Sequence, residues 1–253
     1  AVACSLDADI QRFALERLAH HVLPLKAQNV GEGAVLVVEN ATGDVLAYVS
    51  TTADPVRSRF VDGVTARRQA GSTLKPFLYA LAFDRRILTP ASLLDDSPLD
   101  VTVDRGIYQP GNYDGGFRGS VSARSALAAS LNIPAVRALE MVGGEAFLGA
   151  LRELGFHGLR EAGDFYGPAL ALGAADVTLG ELVNAYRALA NGGRTGELFL
   201  TRPAQAPELK PVFSPEAAFL ISDILADREA RSLTFGLENP LATRFRAAVK
   251  TGT

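Results

Sequence analysis

Two unbroken apolar runs near the start of the chain, Ala34-Val35-Leu36-Val37-Val38 and Val45-Leu46-Ala47-Tyr48-Val49, constrain its fold more than any other feature. The residues between them, Asn40-Ala41-Thr42-Gly43-Asp44, are turn chemistry, so the runs form an antiparallel hairpin. Their lack of polar alternation implies a sheet covered on both faces. Helices follow. Residues 7–22 place Leu6, Ile10, Phe13 and Ala14 on one helical face, and Pro24 ends that helix. Leu74, Phe77, Leu78, Leu81 and Ala82 repeat at helical spacing over 72–84. After a loop-rich stretch with Pro90, Pro98 and Pro110, helical patterns resume at 122–129 and 134–142, the second stopped by Gly143-Gly144. Thr178-Leu179-Gly180-Glu181 has capping-box spacing, and its helix closes at Asn191-Gly192-Gly193. Ser214-Pro215 supplies the N-cap and first residue of another. Arg246-Ala247-Ala248-Val249 reads as a closing strand. Strands, then helices, then a strand is the order of an α+β fold with a helical part inserted between sheet elements. The expected division of the single domain 1–253 is sheet elements at about 1–71 and 198–253 and a helical subdomain at about 85–197.

A chain of 253 residues is long enough to bury a substantial core. A formal charge of −3, no basic run, and aromatics that do not interleave with Arg or Lys argue against a nucleic-acid partner. No stretch reaches the length of a membrane-spanning helix. Cys4 is the single cysteine, which rules out an intrachain disulfide and a cysteine metal cluster. No cofactor and no metal is expected. A catalytic cysteine would need a histidine partner, but His20 and His21 share the first helix and His157 lies far downstream, so Cys4 reads as an inert terminal residue.

Three short motifs carry chemistry. The first is Ser72-Thr73-Leu74-Lys75, followed by Pro76. Proline lacks an N–H and fits only the opening turn of a helix, so Ser72 stands at the helix start, where backbone N–H groups and the dipole stabilise developing negative charge. Lys75, three residues on, projects from the same face. A serine hydroxyl needs a base, and a lysine with a lowered pKa supplies one. The second motif is Ser130-Leu131-Asn132, just before the helix opened by Pro134: a hydroxyl relay and an amide able to orient a lysine. The third is Lys250-Thr251-Gly252-Thr253: a cation, two hydroxyls and a glycine that admits a substrate backbone, together a carboxylate clamp. Taken singly, these fit a capped helix with a solvent lysine, a helix cap, and a strand end. Taken together they mean more, because Lys26, Lys75, Lys210 and Lys250 are the only lysines and half of them fall inside motifs.

This serine-lysine, Ser-x-Asn, Lys-Thr-Gly set is the one known for penicillin-binding proteins and class A β-lactamases. The segments Gln69-Ala70-Gly71-Ser72-Thr73-Leu74-Lys75-Pro76-Phe77, Tyr108-Gln109-Pro110-Gly111-Asn112-Tyr113-Asp114, Phe117-Arg118-Gly119, the run 125–136 and Ala171-Leu172-Gly173 extend the likeness. The chain resembles the transpeptidase domain of bifunctional, class A penicillin-binding proteins. The resemblance implies the α+β transpeptidase fold that these proteins share with serine β-lactamases, an antiparallel sheet flanked by helices plus a helical subdomain. It implies a D-Ala-D-Ala transpeptidase at the periplasmic, extracytoplasmic face of the inner membrane, with peptidoglycan stem peptides as substrates and β-lactam antibiotics as covalent inhibitors. In that family's scheme Ser72 is the nucleophile, Lys75 its base, Ser130 a proton relay and Asn132 the residue that holds Lys75 and the substrate amide. Lys250, Thr251, Gly252 and Thr253 bind the substrate carboxylate, and the backbone N–H groups of Ser72 and Thr253 form the oxyanion hole. The family's domain continues past its Lys-Thr-Gly-Thr, so this chain is expected to be a fragment truncated after that strand. By the same resemblance the glycosyltransferase domain and membrane anchor of these proteins are expected to lie outside this chain, in a membrane-anchored parent protein.

Two other readings share these motifs. A serine β-lactamase would need a positioned base for deacylating water. Glu181, followed by Asn184, has that look, but the capping box already gives Glu181 a structural task. A non-catalytic β-lactam sensor or scaffold would keep the serine and lysine without turnover. A phosphate-binding reading of residues 71–75 fails because the Gly-x4-Gly-Lys spacing is missing.

Overall fold

The structure, a computed structural model, describes residues 3–52, 61–103, 106–201 and 208–252. The first helix, α1 (Ala8–Leu25), starts at the Asp7 carboxylate, which accepts from the N–H groups of Asp9 and Ile10. It runs three residues beyond the expected end, because Pro24 sits in the last turn, where its missing N–H costs a single hydrogen bond. Its buried line is Ile10, Ala14, Leu18 and Val22 rather than one including Leu6 and Phe13. Phe13 is exposed, with the Arg17 guanidinium 5.6 Å from its ring centroid. Strands β1 (Glu32–Val38) and β2 (Val45–Thr52) form the expected hairpin, with Val35 opposite Val49 and a bulge at Val37/Val38. Helix α1 covers one face, where Ala47 and Val49 are buried. The other face, with Leu36 and Leu46 half-buried, meets helix Leu179–Ala190 at β1, so both faces are covered, this one less completely.

A short strand β3 (Arg68–Gln69) leads into a 3-10 turn, Gly71–Leu74, and on into α2 (Lys75–Asp84). Every residue from Leu74 to Phe83 is buried. The sequence explains this: between Lys75 and Asp84 the helix carries no charged side chain, and a helix apolar all round belongs in a core. Each fully buried Leu or Phe there contributes roughly 1.5–3 kcal/mol. Strands β4 (Leu93–Asp96), β5 (Val101–Val103), β6 (Gly106–Tyr108) and β7 (Gly119–Ser122) follow, β4 pairing with β7 and β5 with β6.

Helices α3 (Ala123–Ala128), α4 (Ile133–Val142), α5 (Gly144–Glu153) and α6 (Gly163–Tyr166) come next. Gly143, at φ +88°, ends α4 as expected, and α5 begins at once after it. Strand β8 (Asp176–Val177) pairs with β3, and α7 (Leu179–Ala190) opens on the predicted capping box, with both reciprocal bonds formed. Strands β9 (Arg194–Thr195) and β10 (Lys210–Pro211) pair, then α8 (Pro215–Ala226) begins at its Ser214 cap and α9 (Arg228–Phe235) follows. The Asp84 carboxylate accepts from the Ser214 N–H at 2.9 Å, tying the end of α2 to the start of α8.

The class is α+β, with helices α4, α5 and α8 packed around α2. One sequence expectation fails: residues 246–249 are not a strand. A strand requires a neighbouring ladder, and this segment has a single backbone bond, Val249 N–H to the Leu225 carbonyl of α8. Arg246, paired with Asp223 at 2.7 Å, helps hold the segment on α8 instead. Among the described residues no helix is long and apolar enough to cross a membrane, and no three His, Cys, Asp or Glu side chains gather as a metal site.

Candidate active site

The Ser72-Lys75 pair sits where a 3-10 turn becomes an α-helix, not wholly within an α-helix as the spacing predicts. Pro76 occupies the first turn of α2 as expected. The turn is pinned from three sides. The Ala70 and Gly71 N–H groups donate to the Ala175 and Gly173 carbonyls at 3.1 Å, and the Tyr186 hydroxyl donates to the Thr73 carbonyl at 2.9 Å. Gly173 has φ +78°, and a Cβ there would run into the Gly71 backbone. We expect Gly173→Ala to cost roughly 2–4 kcal/mol, from left-handed strain plus overpacking. A shift in the urea midpoint at unchanged slope would measure it; a shift below about 1 kcal/mol would contradict the close approach.

Lys75 is fully buried. Its Nζ donates to the Ser130 carbonyl at 2.7 Å, the Leu131 carbonyl at 3.0 Å and Asn132 Oδ1 at 2.6 Å. Three carbonyl oxygens favour the ammonium form, while burial and then the charge of Lys250 oppose it. The balance holds its pKa well below the ordinary lysine value. Ser130 is the hinge of the site. It takes φ +60°, a conformation that costs a non-glycine residue about 1 kcal/mol or more. In that conformation its carbonyl meets Lys75 while its hydroxyl accepts from Lys250 Nζ at 2.7 Å. Lys250 also donates to the Thr251 carbonyl at 2.7 Å, and burial lowers its pKa to about 7.

The segment 250–252 lies directly on the turn that carries Ser72: a Cβ on Gly252 would come within 2.8 Å of the Thr73 side chain and 3.2 Å of the Ala70 carbonyl. Ser72, Ser130, Asn132 and Thr251 border one cavity of about 470 Å³, roofed in part by Tyr113 and Phe235. Among the described residues the Ser72 hydroxyl makes no hydrogen bond and is half-buried at that cavity. The structure therefore brings together seven of the eight residues singled out in the sequence; Thr253 lies outside the described residues.

Sequence reasoning missed Asn112, Asp96 and Gly173 as parts of this arrangement. Asn112 and Gly173 both stood inside segments noted only for their likeness. Asp96 had no signal. Glu181 is engaged as expected: its carboxylate accepts from the N–H groups of Thr178 and His157 and does not border the cavity.

Residues 33–253 match the family described as penicillin binding protein transpeptidase domain. Over its whole length the chain is 38% identical to penicillin-binding protein 1C of Escherichia coli K12, of which it covers 32%. It is 32% identical to penicillin-binding protein 2D of Bacillus subtilis, over 88% of the chain and 33% of that protein. The chain thus spans about a third of the length of these curated relatives. Among solved structures, the transpeptidase domain of Burkholderia pseudomallei penicillin-binding protein 3 superposes with a TM-score of 0.72 at 24% identity, covering 88% of this chain and 69% of that one, a likeness of fold. Penicillin-binding protein 1A from Haemophilus influenzae gives a TM-score of 0.68 at 26% identity, over 84% of this chain and 36% of that one.

Proposed function

This chain belongs to the penicillin-binding protein transpeptidase domain family, and we propose that it is a serine acyltransferase that crosslinks peptidoglycan stem peptides through an acyl-enzyme on Ser72. The observation that carries the reading is the convergence of Ser72, Ser130, Asn132 and Thr251 on one cavity, with buried Lys75 held by residues 130–132 and Lys250 donating to the Ser130 hydroxyl.

In the proposed reaction neutral Lys75 takes the Ser72 proton as Oγ attacks the carbonyl carbon of the penultimate D-Ala. The amide C–N bond breaks, the Ser130 hydroxyl delivers a proton to the departing D-Ala amine, and Ser130 is reprotonated from the Lys75 ammonium. An amine from a neighbouring stem then attacks the ester, and Ser72 regains its proton as the crosslink forms. Lys250, with Thr251 and Thr253, binds the carboxylate of the terminal D-Ala. A β-lactam enters the same path: its ring C–N bond opens and the acyl group stays on Ser72. Such chemistry belongs on the periplasmic side of the membrane. Domain limits of 1–253 are part of the same proposal. The engagement of Glu181 as a helix cap disfavours a β-lactamase, which needs a free base for water.

Intact-protein mass spectrometry after incubation with a penicillin, followed by peptide mapping, tests the proposal. An adduct on Ser72 that persists for hours supports a transpeptidase; rapid loss of the adduct would indicate a β-lactamase; an adduct on any other residue would overturn the assignment.

The two lysines also set a pH dependence. The second-order acylation constant reports the groups of the free enzyme. It should fall as pH drops through the lowered pKa of Lys75 and that base gains its proton, and fall again on the alkaline side as Lys250 loses the charge that attracts the carboxylate, with that limb centred near pH 7. Arginine stays charged throughout this range. Lys250→Arg is therefore expected to erase the alkaline limb, and a limb unchanged in that variant would assign it to another group.

A further inference from the structure

The buried carboxylate of Asp96 has no place in the reaction just described. It is fully buried, reached by the alternation of β4 that also points Leu94 inward. Asn112 Nδ2 donates to both of its oxygens, at 2.8 and 3.0 Å, and the Arg118 N–H donates to one at 3.1 Å. Asn112 Nδ2 also reaches the Gly116 carbonyl at 2.9 Å, which leaves Asn112 Oδ1 to accept from the Asn132 N–H at 2.8 Å. Asn132 Nδ2 in turn donates to the Gly111 carbonyl at 2.7 Å, so its Oδ1 faces Lys75 at 2.6 Å. Behind Asp96 the Tyr79 hydroxyl, one turn beyond Lys75 on α2, is buried without a partner among the described residues.

Direction is the point. An amide can present its oxygen or its nitrogen to a neighbour with little change of shape, but the Asp96 carboxyl is met here by donors alone, the Asn112 amide and the Arg118 N–H. An acceptor-only group at one end of the chain fixes which way Asn112 turns, and the Asn112 oxygen then anchors the Asn132 backbone. With the Gly111 carbonyl, this leaves the oxygen of Asn132, not its NH2, for the lysine. Were that amide reversed, its NH2 would face the Lys75 amine and the hold on Lys75 would be lost.

Resting on the reading of Lys75 as the base, we propose that Asp96 and Asn112 are positioning residues that set the polarity of a hydrogen-bond chain, Asp96–Asn112–Asn132–Lys75, and thereby hold the base in place. Asp96 does not border the cavity, and Asn112, at its edge, has its amide engaged by Asp96, the Gly116 carbonyl and the Asn132 N–H.

The test uses the full chain and the variants Asp96→Asn, which keeps shape but permits reversal, and Asn112→Ala, which keeps the carboxylate but breaks the chain. Two readouts are taken at a temperature where circular dichroism shows native signal. The first is acetylation of each of the four lysines by acetic anhydride, resolved by peptide mapping, which needs no β-lactam chemistry. Lys75 should react about 5-fold faster or more in both variants while Lys26 and Lys210 are unchanged, as expected when a fixed side chain is released. The second is penicillin acylation: its limiting rate should fall roughly 10- to 100-fold with the initial dissociation constant within about 3-fold, the cost of misplacing a catalytic group by about an ångström. Unchanged Lys75 reactivity together with an unchanged limiting rate would overturn the proposal. So would loss of the native fold in both variants, the result of a purely structural pair. If the parent chain forms no Ser72 adduct, the proposed function fails, and the acetylation pattern still decides whether the chain holds Lys75.

Discussion

Ser72→Ala is expected to form no covalent adduct with a penicillin, while its unfolding midpoint stays within about 0.5 kcal/mol of the parent, the range of a substitution away from core contacts. Two observations set this expectation. Ser72 is half-buried and its hydroxyl has no hydrogen-bond partner among the described residues, so its removal leaves nothing unsatisfied. Thr73, next to it, is not a substitute, because its hydroxyl is committed to the Ala70 carbonyl at 2.5 Å. The loss should be complete rather than partial, since Ser72 is the proposed nucleophile and the neighbouring Ser130 hydroxyl is engaged by Lys250. Residual adduct on the variant, mapped by mass spectrometry, would place the nucleophile elsewhere.

Lys75→Ala is expected to reduce the limiting rate of acylation by roughly 10²–10⁴-fold, the range for loss of a general base, with little effect on initial binding. Unlike the serine variant it should also destabilise the protein. The substitution empties a fully buried side-chain volume and strips three carbonyl oxygens of their donor, each such loss costing about 1–3 kcal/mol when no water replaces it. Stopped-flow acylation across penicillin concentrations separates the two kinetic constants. Equal losses in binding and rate would argue that Lys75 shapes the cavity instead of moving a proton.

The parts of the site that could be read from the sequence are those where backbone rules act over three or four residues. Pro76 dates the start of α2, and the spacing of Ser72 and Lys75 follows from one helical turn. The box of Thr178 and Glu181, the Ser214 cap and the hairpin turn are of the same kind, and all formed. What remained hidden depends on partners far away in the chain. Asp96 lies 36 residues before Asn132, and nothing in Leu93-Leu94-Asp95-Asp96 tells which aspartate turns inward; Asp95 pairs with Arg137 at the surface while Asp96 is buried. The same limit explains the segment 246–249. Its apolar residues satisfy strand composition, yet strand formation depends on a neighbour, and the nearest partner is the end of α8. Phe13 was misplaced because α1 meets the sheet along a line of residues four apart, and Phe13 lies just off that line.

Helix α2 is enclosed on every side, whereas Asn132 and Lys250 are carried at a helix entrance and on an extended segment tethered through few backbone bonds. Amide protons of the enclosed helix exchange with solvent only when the whole domain opens, but thinly tethered segments open on their own at much lower free energy. Lys75, the proposed base, therefore sits in the last part of the molecule to melt, and the proposed clamp at 250–252 among the first. On the proposed roles, warming short of global unfolding would loosen substrate capture while the base stayed held.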